Sequence, residues 1–186
     1  MNGKYMALIL AFGLTLTGCS QDDQASTSGS ANDGEAMSKD AAVEHSIDDV
    51  GFSLNGGSVE EAADVPENEK QEILAAFDAY MESFNEEDVD TYMATLAKNP
   101  DGFNIEEERA NVEETFDRFD TTRTPSDITI VKYSEEEAQV YANLSIEMTE
   151  TETNTPINGA GKQVTVFAKE NNAWKVTSVY FIRDAE

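Results

Sequence analysis

Few side chains in this sequence combine the type and the setting that chemistry needs. The single cysteine, Cys19, closes a short apolar run as Leu16-Thr17-Gly18-Cys19. It has no second thiol to form an internal disulfide with, so the chemistry open to it is modification of the thiol itself. The single histidine, His45, stands beside Glu44 in a polar stretch, without the rigid support that a catalytic imidazole needs. Asn99-x-Asp101-Gly102 with Glu108 imitates a calcium loop. Setting Gly102 at the sixth position, however, puts Ala97 at the first, where a carboxylate ligand belongs. The sequence holds no serine-nucleophile motif, phosphate loop or cluster with metal-ligand spacing. It therefore implies no catalytic residue, no metal and no cofactor.

What surrounds Cys19 gives its thiol a task. Lys4 and the amino terminus make a basic start, residues 6–16 are apolar apart from Thr15 and glycine, and small residues precede the cysteine. An apolar run this short cannot cross about 30 Å of hydrocarbon, which takes about 20 helical residues. It has the layout of a secretory signal. The stretch resembles the signal of bacterial lipoproteins, whose box reads Leu, a small residue, Gly or Ala, then Cys. That resemblance implies cleavage after Gly18, acylation of Cys19 and a lipid anchor on the outer face of the cell membrane. More than one acyl chain is needed for a stable hold, since each buried methylene contributes about 0.8 kcal/mol.

Composition narrows the partners. The chain has 186 residues, 12 basic and 38 acidic, for a formal charge of −26. Residues 1–66 hold 2 basic and 11 acidic residues, which leaves 10 and 27 and a charge of −17 for residues 67–186. Such a surface repels phosphate backbones, so nucleic acid is excluded as a partner. It repels anionic lipid head groups as well, so the membrane contact is expected through the lipidated Cys19 alone.

The elements that follow divide the chain. Residues 1–18 read as the signal and 19–46 as an acidic tether rich in Ser, Asp and Gly, too poor in apolar residues to order itself. Residues 47–66 read as a strap or linker in which Val50, Phe52 and Leu54 alternate with Gly51 and Ser53. Residues 67–186 read as one domain. In it Ile73, Leu74, Phe77, Tyr80, Met81 and Phe84 form one helical stripe beginning near Glu67. Asp88 caps a second helix with Val89, Tyr92, Met93 and Leu96, and a third is expected over about 106–119. After Pro125 the period changes to two. Ala138, Val140, Ala142, Leu144, Ile146 and Met148 line one face of a strand, and residues 149–161 are expected to be a loop turning at Asn158-Gly159. Strands over 163–169 and 174–183 follow, joined by Asn171-Asn172, since Asn tolerates positive φ. Helices followed by consecutive strands predict an α+β fold, three helices packed on a curved antiparallel sheet of four or more strands.

Phe77-x-x-Tyr80-Met81-x-x-Phe84-Asn85-x-x-Asp88-Val89-Asp90, then Tyr92-Met93-x-x-Leu96, and the closing Trp174-Lys175-Val176 and Val179-Tyr180-Phe181, are similar to the nuclear transport factor 2-like superfamily. The resemblance implies a cone-shaped, cystatin-like domain with a candidate pocket lined by Tyr80, Phe84, Tyr92, Phe116 and Trp174. It also implies that Tyr80 stands where isomerase members carry a hydrogen-bonding tyrosine, and that their carboxylate base falls near Asn104, which cannot take that proton. The second sheet face, with Tyr141, Phe167, Val179 and Phe181, is expected to be a homodimer surface, a peptide-binding surface, or a face covered by the strap. Three readings stay open. One is a tethered, non-catalytic domain binding an unidentified protein or small apolar ligand, one an isomerase or cyclase using Tyr80, and one a structural envelope lipoprotein.

Overall fold

A computed structural model describes residues 59–184. The signal, Cys19, the tether, His45 and the Val50-Phe52-Leu54 alternation lie outside the described residues. Three helices come first: α1 (Glu67–Asn85), α2 (Val89–Thr95) and α3 (Ile105–Arg118). Four strands follow: β1 (Phe119–Tyr133), β2 (Glu137–Glu150), β3 (Pro156–Glu170) and β4 (Ala173–Arg183). They form one antiparallel sheet in the order β1-β2-β3-β4. This is the α+β architecture that the two periods in the sequence imply, with the helices on one face of the sheet.

The first helix forms where the apolar stripe predicts. Glu67 and Glu69 lie in its first turn, where they complement the positive end of the helix dipole. Ile73, Phe77, Tyr80, Met81 and Phe84 are buried against Ala138, Val140, Ala142 and Leu144 of β2 and Phe167 of β3. Each such side chain contributes about 1.5–3 kcal/mol by leaving water. Asp88 caps α2 by accepting from the Thr91 N–H at 3.1 Å. Asn104 caps α3 by accepting from the Glu106 and Glu107 N–H groups at 2.9 and 3.1 Å. Asn171 and Asn172 turn the last hairpin with φ of 50° and 62°.

Three expectations need correction. Phe119 is not the last inward residue of α3 but the first of β1, which begins well before Pro125. Helix passes directly into strand there, and Phe119 stays buried as its backbone extends. Residues 149–161 are not one loop. β2 runs to Glu150 and β3 starts at Pro156, with Asn158 opposite Glu147 and Gly159 opposite Ile146. The turn lies at 151–155, closed by the Glu150 N–H on the Thr155 carbonyl at 3.0 Å. Gly159 is part of a strand rather than a turn, beside the Arg183 guanidinium. Finally, Tyr141, Phe167, Val179 and Phe181 do not share a face. Phe167 pairs with Ala138, Val179 with Thr165 beside Val140, and Phe181 with Gln163 beside Ala142, so all three point toward the helices. Tyr141 points the other way, in one row with Thr129, Val164 and Tyr180.

Both sheet edges are engaged. The Asn85 side chain accepts from the Arg123 N–H at 2.8 Å and donates to the Arg123 carbonyl at 2.9 Å, as a neighbouring strand would. Pro125, two residues on, has no N–H to offer that edge, which is where a strand tolerates proline. The Ala62 N–H reaches the Ile130 carbonyl at 2.7 Å. On β4 the Ala97 and Gly102 N–H groups donate to the Val176 and Thr177 carbonyls at 2.8 and 2.9 Å.

One ion pair fastens the start of α1 to the β3–β4 hairpin. Lys169 Nζ donates to both Glu69 oxygens at 2.6 and 2.7 Å, and Trp174 Nε1 donates to Glu69 Oε2 at 3.1 Å. The hydrogen bond from Lys169 holds the Glu69 carboxyl below its ordinary value of 4.5, and Glu69 raises Lys169 above 10.5. A depressed carboxyl pKa stabilises the fold above 4.5 and loses that effect as pH falls through its folded value. The raised lysine pKa stabilises below 10.5 and loses its effect as pH rises through the folded value. Glu69→Gln is therefore expected to lower the melting temperature at pH 7, and the gap to the parent protein should narrow as the solution is acidified below 4.5. Parallel melts from pH 7 to pH 3 check this, and a gap that does not change with pH would rule the ion pair out as its source.

Candidate functional site

The side chains with chemical potential meet inside the cone. Tyr80 comes from the inward stripe of α1, Tyr92 from α2, Glu108 from α3 and Arg123 from β1. Tyr80 and Tyr92 are 0% exposed and Glu108 is 2% exposed. Their burial follows from spacing. Tyr80 and Phe84 are four apart on α1, and Glu108, Val112 and Thr115 share the inward side of α3.

Tyr92 Oη donates to Glu108 Oε1 at 2.6 Å. Burial pushes the Tyr92 phenol well above its ordinary value of 10.0. Tyr80 and Glu108 reinforce that shift, and Arg123 opposes it. At neutral pH Tyr92 therefore keeps its proton and acts as donor. Tyr80 lies beside it with ring centroids 5.5 Å apart. Phe84 meets Tyr92 edge-on at 5.6 Å and Phe116 at 4.9 Å. The Arg123 guanidinium carbon stands 3.3 Å from the Phe84 ring centre, a cation over an aromatic face. The Tyr80 hydroxyl is buried without a hydrogen-bond partner among the described residues.

Four of the five candidate pocket residues, Tyr80, Phe84, Tyr92 and Phe116, are thus brought into one chain of ring contacts. Trp174 sits elsewhere, tilted against Tyr133 at 6.4 Å and bonded to Glu69. Asn104, where the resemblance places a base, is the cap of α3. Glu108, one helical turn further on, is the carboxyl that enters the interior. The sequence reading met it only as a poor calcium ligand. The signal that would have found it is positional: Glu108 stands four residues before Val112, on the stripe that also carries Thr115. Arg123 was missed because the strand was expected to begin after Pro125.

A carboxyl next to two phenols has the donors and acceptors for proton transfer. Here the residues fill the space between them. Two surface hollows lie away from the cluster. One, of about 390 Å³, runs along Ser145–Glu147, Asn158–Ala160 and Arg183. The other, of about 380 Å³, lies between the end of α2 and the start of α3, at Leu96, Lys98, Ile105 and Arg109. Among the described residues no group of His, Cys, Asp and Glu could hold a metal ion. No described helix is long and apolar enough to cross a membrane.

Residues 75–182 match the family described as the anti-sigma-I factor RsgI9, C-terminal domain. The chain belongs to that family. No curated protein matches the chain. Solved structures with a similar fold include a ketosteroid isomerase-like protein from Erwinia carotovora atroseptica, 18% identical with a TM-score of 0.54, covering 65% of this chain and 100% of that one. A protein with a cystatin-like fold from Nostoc punctiforme is 22% identical with a TM-score of 0.52, covering 64% of this chain and 94% of its own. A nuclear transport factor 2-like superfamily protein from Salmonella enterica is 17% identical with a TM-score of 0.55, covering 63% and 92%. At these identities the likeness establishes the fold, the cone that the Phe84-Asn85-x-x-Asp88 motif implies. The motif has a physical basis in this chain, since Asn85 pins β1 and Asp88 caps α2.

The Tyr92–Glu108 bond generates a test. Removing the phenol takes the Tyr92 donor from Glu108 Oε1, which costs about 1–3 kcal/mol. In a double-mutant cycle, Tyr92→Phe and Glu108→Gln should each destabilise, and the pair should fall short of additivity by about 1 kcal/mol or more. Urea unfolding of the four proteins checks this, and additive losses would mean that the two groups act independently.

Proposed function

We propose that this chain is an extracytoplasmic interaction domain, held at the membrane by an acylated Cys19 and without catalysis of its own. The observation that carries the non-catalytic part is the filled cone: Tyr80, Phe84, Tyr92 and Glu108 are at most 2% exposed, and the carboxyl is already engaged by Tyr92. A substrate would have to displace these side chains to reach them. Family membership supports the same reading, because the matched domain is by name the C-terminal part of an anti-sigma factor, a regulatory protein. Leu16-Thr17-Gly18-Cys19 supports the tether. The −17 charge of residues 67–186 favours a partner other than nucleic acid or the anionic membrane surface.

A second reading, an isomerase- or cyclase-like enzyme, is favoured by one observation, the buried Tyr80 hydroxyl that has no hydrogen-bond partner among the described residues and lies beside the Tyr92–Glu108 pair. Tyr80→Phe separates the two. Under the interaction reading it removes an unsatisfied buried hydroxyl, so stability should stay level or rise by about 1 kcal/mol, with the fold and partner binding intact. Thermal melts and recovery of the bound partner measure this. A loss of turnover on any substrate of the parent protein would establish the enzyme instead.

The tether has its own test. Cys19→Ser should move the protein from the membrane fraction to the soluble fraction, or leave the precursor uncleaved. Fractionation with immunoblotting reads the outcome, and a variant that stays processed and membrane-bound would overturn the lipid anchor.

A further inference from the structure

β4 is the last strand in the sheet order, and its outer edge is open beyond Thr177. In an antiparallel pair, successive residues turn their backbone groups alternately toward the neighbouring strand and away from it. The Asp184 N–H donates to the Ala160 carbonyl of β3 at 2.9 Å, so Asp184 is one of the residues turned toward β3. From Arg183 back to Ser178 the register with β3 runs without a shift. Tyr180 and Ile182, opposite Val164 and Lys162, therefore also turn their N–H and C=O groups to β3, while Val179 and Phe181 turn theirs outward. The contacts that engage this edge stop short of them, since they end on the Val176 and Thr177 carbonyls. Among the described residues no backbone group meets the N–H or C=O of Val179 or Phe181.

A row of free backbone donors and acceptors suits one kind of occupant, an extended chain whose own N–H and C=O groups complete the ladder. The place has two ends. On one side the α2–α3 connection stands in the way, with Gly102 against Ser178. On the other β4 stops, and the hollow of about 390 Å³ opens at Asn158–Ala160 and Arg183. Residues 179–183 lie between, about 17 Å of strand. Val179 and Phe181 pack at the border of the helix-side core, so every second side chain of an added strand would lie beside them.

Charge selects the occupant. A second copy would bring another domain of charge −17 to the edge, whereas a basic segment is drawn to it. We propose that the β4 edge takes an extended, lysine- or arginine-flanked segment of a partner protein as a fifth strand, apolar at the positions beside Val179 and Phe181. This rests on the interaction reading above and names the surface that serves it.

The test follows amide hydrogen exchange, residue by residue, in the full-length chain carrying Cys19→Ser. In dilute solution the Val179 and Phe181 amides should exchange about tenfold or more faster than those of Tyr180 and Ile182, which are bonded to β3. The probe is a synthetic peptide of alternating valine and threonine with lysines at both ends. It should slow Val179 and Phe181 about tenfold or more, and the same peptide with methylated backbone nitrogens should not. Val179→Pro removes an outward N–H and keeps the bonds to β3, so it should abolish the protection of Phe181 while thermal melts show a folded protein. The methylated peptide makes the same comparison without altering the protein. Protection by neither peptide, or equal protection by both, overturns the edge site. Slow exchange of Val179 and Phe181 without peptide overturns it too, and light scattering then assigns the cover to a second copy if the mass is a dimer's and to the chain itself if it is a monomer's. Protection confined to another part of the domain overturns the edge site but not the interaction reading, which the turnover of Tyr80→Phe tests separately.

Discussion

A phenol-to-carboxyl hydrogen bond of 2.6 Å, shut away from water, joins α2 to α3 inside the cone. A buried carboxyl is costly unless its oxygens are engaged, and the Tyr92 hydroxyl engages one of them, so the cost falls when Tyr92 and Glu108 arrive together. That requirement fixes how the short helix α2 sits against α3. Tyr80 and Phe84 then press α1 against Tyr92, and Phe84 carries the Arg123 guanidinium of β1 on its face. One polar contact thereby couples the placement of three helices and a strand. A seven-residue helix has too few turns to hold such a position by its own propensity.

The rest of the architecture protects that interior. Asn85 acts as a substitute strand for Arg123, and Pro125 removes a donor from the same edge. The connection between α2 and α3 closes the β4 edge through Ala97 and Gly102. At Gly102 a Cβ would lie 2.8 Å from the Ser178 hydroxyl, so only glycine lets that connection come so close. Unpaired strand edges invite pairing with other chains. These contacts engage part of each edge, and the large negative charge adds repulsion between copies.

What the interior contains bears directly on function. In this chain aromatic rings occupy that space, and the one carboxyl among them is bonded to a neighbouring phenol. The fold is shared with a ketosteroid isomerase-like structure at 18% identity, and in this chain Tyr80, Phe84, Tyr92 and Glu108 are buried. A site is made by its residues rather than by the fold that carries them.

The sequence by itself determined the helices, the order of the strands and the Asn171-Asn172 hairpin, because helical stripes, alternation and positive-φ residues are local properties of the chain. Tyr80, Phe84 and Tyr92 were legible as interior residues for the same reason. Only the tertiary structure decided that Glu108 faces inward, that β1 starts at Phe119, that Asn158-Gly159 pairs instead of turning, and that Phe167, Val179 and Phe181 lie on the helix side. Each of those depends on partners distant in sequence. A glutamate is tolerated in a core when donors from elsewhere in the fold meet it, as the Tyr92 hydroxyl does here, and this Asn-Gly step stays extended because a neighbouring strand takes its backbone bonds. Opposite the consecutive Val166 and Phe167 of β3, β4 carries an extra residue, Thr177 between Val176 and Ser178, which shifts the register, so no count along one strand reveals the face its neighbour presents.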